Sequence, residues 1–295
     1  MSPLARFLKR REYLVFILPM VLYVGVMSVF PVAKSFQLSL TDKDLLSREP
    51  GSFVFLENYR ILLEQPVFWQ VLGNTAVFVL GSVAAQFLFG FGLALLLRKN
   101  RPTVAIIRGV LLLTWVVPGI ITGFTWQWIF QSERYGLFNF LLISLGLPPV
   151  GWFYEPAPAM IALLIGNVWR GVSFHMIVQL AGLQTISDEL YEAAYVDGAG
   201  RVQSFLRITL PLMRFSILIS WIYGSILTFG VFDIVETLSG GGPGRATETL
   251  SLHIYHTAFR QYRMGRGASL SVIMFLINLG LTLFYISLLR RTGDR

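Results

Sequence analysis

The protein has 295 residues, of which 55% are hydrophobic and 14% are charged, with a formal net charge of +8 and no cysteine. This apolar content exceeds what a soluble core of this size can bury, so the composition predicts an integral membrane protein. The absence of cysteine excludes disulfides, thiolate zinc sites and cysteine nucleophiles. The basic residues form short clusters beside apolar runs, which is typical of cytoplasmic membrane flanks, so no nucleic-acid partner is expected.

The N-terminal segment combines a basic head, residues 1–12, with an apolar run from Tyr13 to Val32. A secretory signal has an apolar core of about 7–15 residues, followed by a cleavage site of the small-x-small type. The run here is longer, and Pro31-Val32-Ala33 fits such a site poorly. The sequence therefore predicts a retained first membrane span, preceded by a basic cytoplasmic segment at the membrane interface.

Six segments are long and apolar enough to cross a bilayer, which takes about 20 residues of helix. Their continuous apolar runs favour helices over barrel strands, in which apolar and polar residues alternate. We expect an all-α integral membrane protein with one six-helix membrane domain over 13–289, an external loop at 238–267 and a short tail at 290–295. The predicted spans are 13–33, 72–97, 104–130, 158–183, 214–237 and 268–289.

The arginine and lysine residues predict the orientation of these spans. Fourteen of the 24 lie in segments assigned to the cytoplasm, nine lie outside and Arg170 lies within a span. Cytoplasmic flanks carry the excess of basic residues, and the densest clusters, at 9–11, 98–101 and 290–291, adjoin span ends. Both termini and the loop between the fourth and fifth spans are therefore predicted to be cytoplasmic.

The third span contains small residues and ends in a region rich in tryptophan. Gly119 and Gly123, beside Pro118, predict close packing against another helix. The aromatic residues that follow predict a belt at the outer membrane interface; they are Trp126, Trp128, Trp152 and Phe153.

The loop after the fourth span is polar and carries the signals of a short helix. Ser187 is a predicted N-cap, and Asp188 and Glu189 follow in the first turn, where the helix dipole favours negative charge. Gly198 is predicted to end this helix in the left-handed conformation. A second short helix with an apolar ridge follows, and Pro211 marks a predicted bend into the fifth span. The alternative is a loop packed on its own bundle.

The same loop carries Glu192-Ala193-Ala194, then Gly198 after three residues, then Ile208 and Leu210-Pro211 after nine more. With this spacing the chain resembles the permease subunits of bacterial ABC importers, whose coupling loop has this signature. The strings NVWRGVSFHMIVQLAGLQTISDELYEAAYVDGAG and LSGGGPGRATETLSLHIYHTAF are similar to those of carbohydrate-uptake permeases of the maltose and glycerol-3-phosphate type. The likeness includes all six spans.

The resemblance implies that loop 185–213 is a coupling helix seated in a cleft of an ATPase subunit. Glu192 would supply a polar contact, two alanines would allow close seating, and Gly198 would make the turn. Closure of the ATPase dimer would then switch the helices between inward-open and outward-open arrangements as rigid bodies. The implied ATPase-coupling residues are Glu192, Ala193, Ala194, Gly198, Ile208, Leu210 and Pro211.

The resemblance also implies the partners and the location. The implied partners are a second permease subunit that is a paralogue, two ATPase subunits or domains that bind ATP and magnesium, an extracytoplasmic solute-binding protein and membrane lipid. The implied location is a bacterial cytoplasmic (inner) membrane. The chain itself is expected to be no enzyme and to hold no cofactor or metal, since Gly240–Gly244 lacks the lysine and hydroxyl residue of a P-loop. That glycine cluster is an external turn, near the docking surface of the solute-binding protein by resemblance, or a plain turn.

Polar residues in the fourth and fifth spans indicate where cargo passes, because such residues usually face a bundle interior or a water-filled cavity. The resemblance places a sugar site between these two spans. The predicted cargo-binding residues are Asn167, Arg170, Gly171, Phe174, Gly224, Thr228 and Asp233. Two structural alternatives stay open: Arg170 pairs with Asp233 or Glu236 to join the helices, and the other polar side chains bind helix to helix.

Two other classes of function, different from an ABC importer permease, require residues of other kinds. An ion-gradient-driven secondary transporter needs coupling carboxylates within its spans, and only Asp233 and Glu236 are available, both near the outer end. A membrane-embedded enzyme needs facing ionisable or metal-ligating residues, and the sequence has no H-E-x-x-H motif.

Overall fold

The computed structural model describes residues 17–49, 51–99, 101–132 and 135–293, with backbone only for 289–293. The predicted basic segment 1–12 and the last two residues lie outside the described part. Within it the fold is all-α, as predicted, and the β-type pairing is limited to an isolated bridge between Thr41 and Phe53.

The described helices range from six-residue turns to spans of about 30 residues. In chain order they are α1 (Ile17–Ser39), α2 (Glu57–Glu64), α3 (Pro66–Leu96), α4 (Pro102–Val116), α5 (Gly119–Ile129), α6 (Leu137–Ser144), α7 (Pro156–Gln184), α8 (Asp188–Val196), α9 (Arg201–Phe229), α10 (Asp233–Leu238), α11 (Leu250–Tyr255) and α12 (Met264–Gly293). The chain forms two compact units. The first runs up to Glu64 and includes Ile254–Ile273; the second comprises Gln65–His253 and the residues from Met274 onward.

Within the first unit, hydrogen bonds hold the end of α1. The buried amide of Asn58 donates to the carbonyl oxygens of Ser39 and Thr41, at 2.9 and 2.8 Å. The hydroxyl of Ser269 donates to the same Ser39 carbonyl at 3.0 Å. The apolar part of α1 itself buries nothing within this structure, as expected of a span that faces lipid.

Five described helices are long and apolar enough to cross a membrane: α1, α3, α7, α9 and α12. The predicted third span, 104–130, is not one continuous helix, because α4 and α5 meet at an angle of 97°. Pro118 explains the break: it lacks an N–H, and it keeps Val117 in an extended conformation with ψ at 126°. Six spans result if this bent pair is counted as one.

The fifth span also differs from its predicted bounds of 214–237. It begins earlier, because Arg201–Phe229 is one helix that continues through Pro211 without a break. A π-helical segment at Phe205–Thr209 precedes the proline and accommodates its missing N–H. The helix ends at Phe229, and the short helix α10 follows as a separate element.

Glycines in the second unit seat helices closely against one another. A Cβ atom at Gly90 of α3 would lie 2.8 Å from the backbone nitrogen of Met176 in α7. Cβ atoms at Gly119 and Gly123 would lie 1.7 Å from the Oδ2 of Asp233 and from the Oγ1 of Thr237, respectively. The predicted close packing of the third span is therefore confirmed, and its partner is α10.

The loop around α6 is organised by one fully buried residue, Asn139. Its amide nitrogen donates to the carbonyls of Ser132 and Val150, at 2.8 and 3.0 Å, and its amide oxygen accepts from Val150 N and Trp152 Nε1. Trp152 also packs 4.8 Å from the buried ring of Phe130. Trp152 therefore belongs to an aromatic cluster around Phe130, and its place in a belt at the membrane interface stays a prediction.

Candidate cargo cavity and coupling loop

The second unit encloses a cavity of about 270 Å³ between α3, α4, α7, α9 and α10. All seven predicted cargo-binding residues line it, together with six that the sequence did not single out. The lining comprises Gln86, Trp115, Asn167, Arg170, Gly171, Phe174, Tyr223, Gly224, Leu227, Thr228, Gly230, Val231 and Asp233. The structure therefore brings the predicted set together in one place.

One wall of the cavity carries an ion pair between α7 and α10. Arg170 Nη1 lies 3.8 Å from Asp233 Oδ2, and both side chains are about one-third exposed. The Asp233 carboxylate is held against Gly119, and its Oδ1 also accepts from Ile234 N at 3.0 Å. The structural alternative for Arg170, a pair that joins two helices, is compatible with the geometry, and the pair faces the cavity as well.

The amide groups beside this pair have capacity for further hydrogen bonds. Gln86 Nε2 donates to the backbone carbonyl of Asn167 at 3.0 Å and lies against Gly171, where a Cβ atom would be 2.3 Å away. The Asn167 side-chain nitrogen is buried and has no hydrogen-bond partner in the described residues, and neither has Arg170 Nε. Buried donors of this kind gain free energy when a polar ligand reaches them.

Aromatic rings form the facing side of the cavity. The Phe174 ring lies 4.8 Å from that of Tyr223 and 6.0 Å from that of Trp115, measured between centroids. Trp169, the neighbour of Arg170 in α7, does not line the cavity and packs instead against Trp126, with 6.1 Å between the ring centroids. Trp126 also packs on Phe130, 5.5 Å away between ring centroids, and so belongs to the same aromatic cluster as Trp152.

Below the cavity, His175 fills the space between α7 and α9. Its Nδ1 lies 2.5 Å from the Ser220 hydroxyl, and the ring is almost fully buried. A Cβ atom at Gly224 would lie 2.7 Å from His175 Nε2. Gly224 thus lines the cavity and also makes room for this histidine.

The loop after α7 forms the helix that the sequence predicts. The hydroxyl of Ser187 accepts a hydrogen bond from Glu189 N at 3.3 Å and caps α8. Gly198 has a φ of 82°, and Ala199 N donates to the Ala194 carbonyl at 2.8 Å, which closes the end of the helix. The left-handed conformation explains why glycine stands here.

The seven predicted coupling residues differ in burial. Glu192, Ala193 and Gly198 are exposed, whereas Ile208 and Leu210 are partly buried and pack on an apolar core that includes Leu183 and Met213. The predicted apolar ridge is divided, since Val202 and Leu206 are exposed whereas Phe205 and Leu210 pack on this core. Ala194 is half-buried, and Pro211 is exposed within α9.

Two exposed apolar side chains at the end of α8 were missed by the sequence reasoning. Tyr195 is 81% exposed and Val196 is 85% exposed, immediately before the turn at Gly198. Because these two residues directly follow the alanines of the motif, the sequence could have indicated them as part of the same surface.

The glycine cluster of the outer loop forms a tight turn. Gly240, Gly241 and Gly244 all have positive φ angles. Asn74 of α3 donates to the carbonyls of Arg245 and Glu248, at 2.7 and 3.2 Å, so the loop is fixed to the bundle. The predicted loop 238–267 also contains the helix α11.

A family profile described as "Binding-protein-dependent transport system inner membrane component" matches residues 53–294. The chain belongs to this family. It is therefore a multi-pass inner-membrane permease subunit of an ABC importer and not an enzyme. The ion-gradient alternative has no support among the similar proteins.

The similar proteins include two curated permeases that extend over most of the chain. The sulfoquinovosyl glycerol transport system permease protein SmoG of Agrobacterium fabrum is 36% identical over 92% of this chain and 88% of its own length. The trehalose/maltose transport system permease protein MalF of Thermococcus litoralis is 37% identical over 94% of this chain and 93% of its own length. Both are named as permeases for sugar-containing solutes.

Among solved structures, the fold resembles a chain of a bacterial alginate ABC transporter in complex with an alginate pentasaccharide-bound periplasmic protein. The TM-score is 0.81 at 22% identity, and the alignment covers 98% of both chains. At this identity the likeness supports the fold alone.

Proposed function

We propose that the chain carries a carbohydrate or related polyol through the cavity between α7 and α9. The observation that supports this is the composition of the lining: Trp115, Phe174 and Tyr223 offer ring faces, and Gln86 and Asn167 offer amides. Sugars present apolar C–H faces and hydroxyl groups, so a site of convergent polar groups with aromatic walls suits them. The names of the two curated relatives support the same class of cargo.

The size of the cavity fits a small part of a saccharide. Its volume of about 270 Å³ is just under the range of roughly 300–1,000 Å³ that is usual for small-molecule sites. The charges of Arg170 and Asp233 balance one another across the lining. A cargo with no net charge is therefore favoured at this place.

We also propose that α8 is the contact with a separate ATPase. The exposed side chains of Tyr195 and Val196 would enter an apolar cleft, and Glu192 would make a polar contact at its edge. The small alanines of the motif allow that approach. Because Ile208 and Leu210 fix the loop to the bundle, a displacement of α8 would move α7 and α9.

The remaining assignments complete this proposal. The functional assembly contains this chain, a second permease subunit, two ATPase subunits that bind ATP and magnesium, and an extracytoplasmic solute-binding protein. Both termini face the cytoplasm. The rigid glycine turn at 240–244 lies on the outer side, where the solute-binding protein docks.

The direct test is uptake by the reconstituted assembly. The chain is co-expressed with the permease, ATPase and binding-protein genes that flank its own, and proteoliposomes are loaded with ATP inside. Labelled maltose or trehalose should accumulate only with ATP and the binding protein, and a labelled amino acid should not. Uptake that proceeds without ATP and stops on addition of an uncoupler would contradict the proposal.

A further inference from the structure

Arg98, just after the end of α3, connects that helix to the start of α8. Its Nη2 lies 2.6 Å from Asp188 Oδ1, and the arginine side chain is only 28% exposed although the aspartate is 84% exposed. Charge patterning alone assigns Arg98 to the cytoplasmic flank of the membrane. The structure adds a specific partner on the predicted coupling helix.

The same guanidinium group also contacts a second residue of α8. Its Cζ atom lies 4.8 Å from the centroid of the Tyr191 ring, a distance suited to a cation–π interaction. The Tyr191 hydroxyl in turn lies 2.9 Å from Oγ1 of Thr209, which is buried in α9. Arg98 and Tyr191 thus form a line of contacts from α3 through α8 to α9.

The loop that carries Arg98 is itself held in place. Arg108 of α4 donates from both Nε and Nη2 to the Leu97 carbonyl and from Nη2 to the Lys99 carbonyl at 3.1 Å. These carbonyls flank Arg98 on either side, just after the end of α3, where carbonyl groups lack partners within the helix. The base of the Arg98 side chain is therefore fixed.

The interior of α3 lies at the cargo cavity. Gln86, three turns before Arg98, lines the cavity, donates to the Asn167 carbonyl and lies against Gly171. A movement of α8 reaches the cavity through the covalent chain, by way of α7 and α9. The Arg98 contact adds a further route through α3.

We propose that Arg98 is a positioning residue for coupling, which makes α3 move together with α8 when the ATPase displaces the loop. This inference rests on the proposed function of α8. An exposed ion pair contributes little to folding stability, and Asp188 is almost fully exposed, so a purely stabilising role would be small. A contact of this kind matters where two elements must move as one body.

The test replaces Arg98 by glutamine in the complete reconstituted assembly. Arg98→Gln keeps a polar side chain but removes the ion pair and the cation–π contact. We expect assembly and ATP hydrolysis to persist while transport per ATP hydrolysed falls by about 2- to 30-fold, the range expected when a coupling contact is lost. Arg101→Gln is the matched control: it makes the same charge change in the same loop, and the Arg101 side chain has no hydrogen bond or ion pair within the described residues.

A double-mutant cycle with Asp188→Asn separates this role from a general effect of charge. Arg98→Gln, which also removes the cation–π contact, should lower transport per ATP at least as much as Asp188→Asn. The double variant should lower it no further than Arg98→Gln alone, because the ion pair is already lost. Additive losses would overturn the inference, and so would an Arg98→Gln assembly that couples as well as the Arg101→Gln control.

Failure of the proposed function has a different signature. A Gly198→Asp variant, measured in parallel, tests whether α8 couples at all. If that variant loses transport while Arg98→Gln does not, the inference on Arg98 is wrong and the function of α8 stands. If Gly198→Asp also transports normally, the function of α8 is wrong and the inference falls with it.

Discussion

The predicted coupling loop and the candidate cargo cavity differ in how their geometry arises. In the loop, the hydrogen bond of the cap at Ser187 and that of the turn at Gly198 each join residues no more than five positions apart along the chain. The cavity, in contrast, is assembled from five helices, and its ion pair joins Arg170 in α7 to Asp233 in α10. The loop should therefore keep its shape when the bundle is altered, whereas the cavity should change with the helix crossings around it.

The largest effect is expected in the loop. Gly198→Asp should lower transport at least about 30-fold, the equivalent of roughly 2 kcal/mol at an interface hot spot, because it places a charge at the turn and strains a φ of 82°. Membrane insertion should be unchanged, since no neighbouring atom lies within 4 Å of an added Cβ. Uptake by proteoliposomes measures the loss, and normal uptake with normal co-purification of the ATPase would contradict the assigned role.

A smaller effect is expected at the helix crossing beside the cavity. Gly171→Ala should displace the Gln86 amide, which is 2.3 Å from the added Cβ, and lower the uptake rate about tenfold. The cost lies toward the low end of the roughly 1–3 kcal/mol of overpacking, since a side chain and not the backbone must move. Gly92→Ala in α3 is the control, because an added Cβ there meets nothing within 4 Å. Equal uptake by the two variants would show that the crossing does not shape the cavity.

The smallest effect is expected from Asn167→Ala, and it tests cargo contact against helix-to-helix binding. The Asn167 side-chain nitrogen is buried and unpaired in the described structure. Its removal should weaken cargo affinity about fivefold, the worth of one hydrogen bond of roughly 1 kcal/mol, without lowering the thermal stability of the assembly. Lower thermal stability with unchanged cargo affinity would instead favour a structural role. The same two measurements on Arg170→Ala decide whether the Arg170–Asp233 ion pair contacts cargo or joins two helices.

The sequence predicted the loop better than the bundle because the loop depends on local signals. Helix caps, a glycine turn and the motif spacing act over a few residues, and the structure reproduces them at Ser187 and Gly198. Six of the seven predicted cargo residues line the cavity because helical periodicity places them on common faces of α7 and α9, and Asp233 reaches it from α10. Their role in binding cargo stays a prediction.

The features that the sequence did not give depend on tertiary contacts. Trp115 and Tyr223 lie in apolar runs whose orientation no single-helix pattern fixes. Gln86 was a polar residue in an apolar span and could have been singled out. Pro118 was visible, yet the bend of 97° between α4 and α5 follows from the packing of α5 on α10 as well as from the proline.

The central claim is that α8 transmits the work of an ATPase to the cavity. The sequence has no cysteine, so one cysteine at Leu227, a partly exposed residue of the cavity lining, can be labelled selectively. Labelling by an impermeant thiol reagent should change when the reconstituted assembly is trapped with ATP and vanadate, and this change should vanish in the Gly198→Asp background. The same change in both backgrounds, or none with Gly198 intact, would contradict the account.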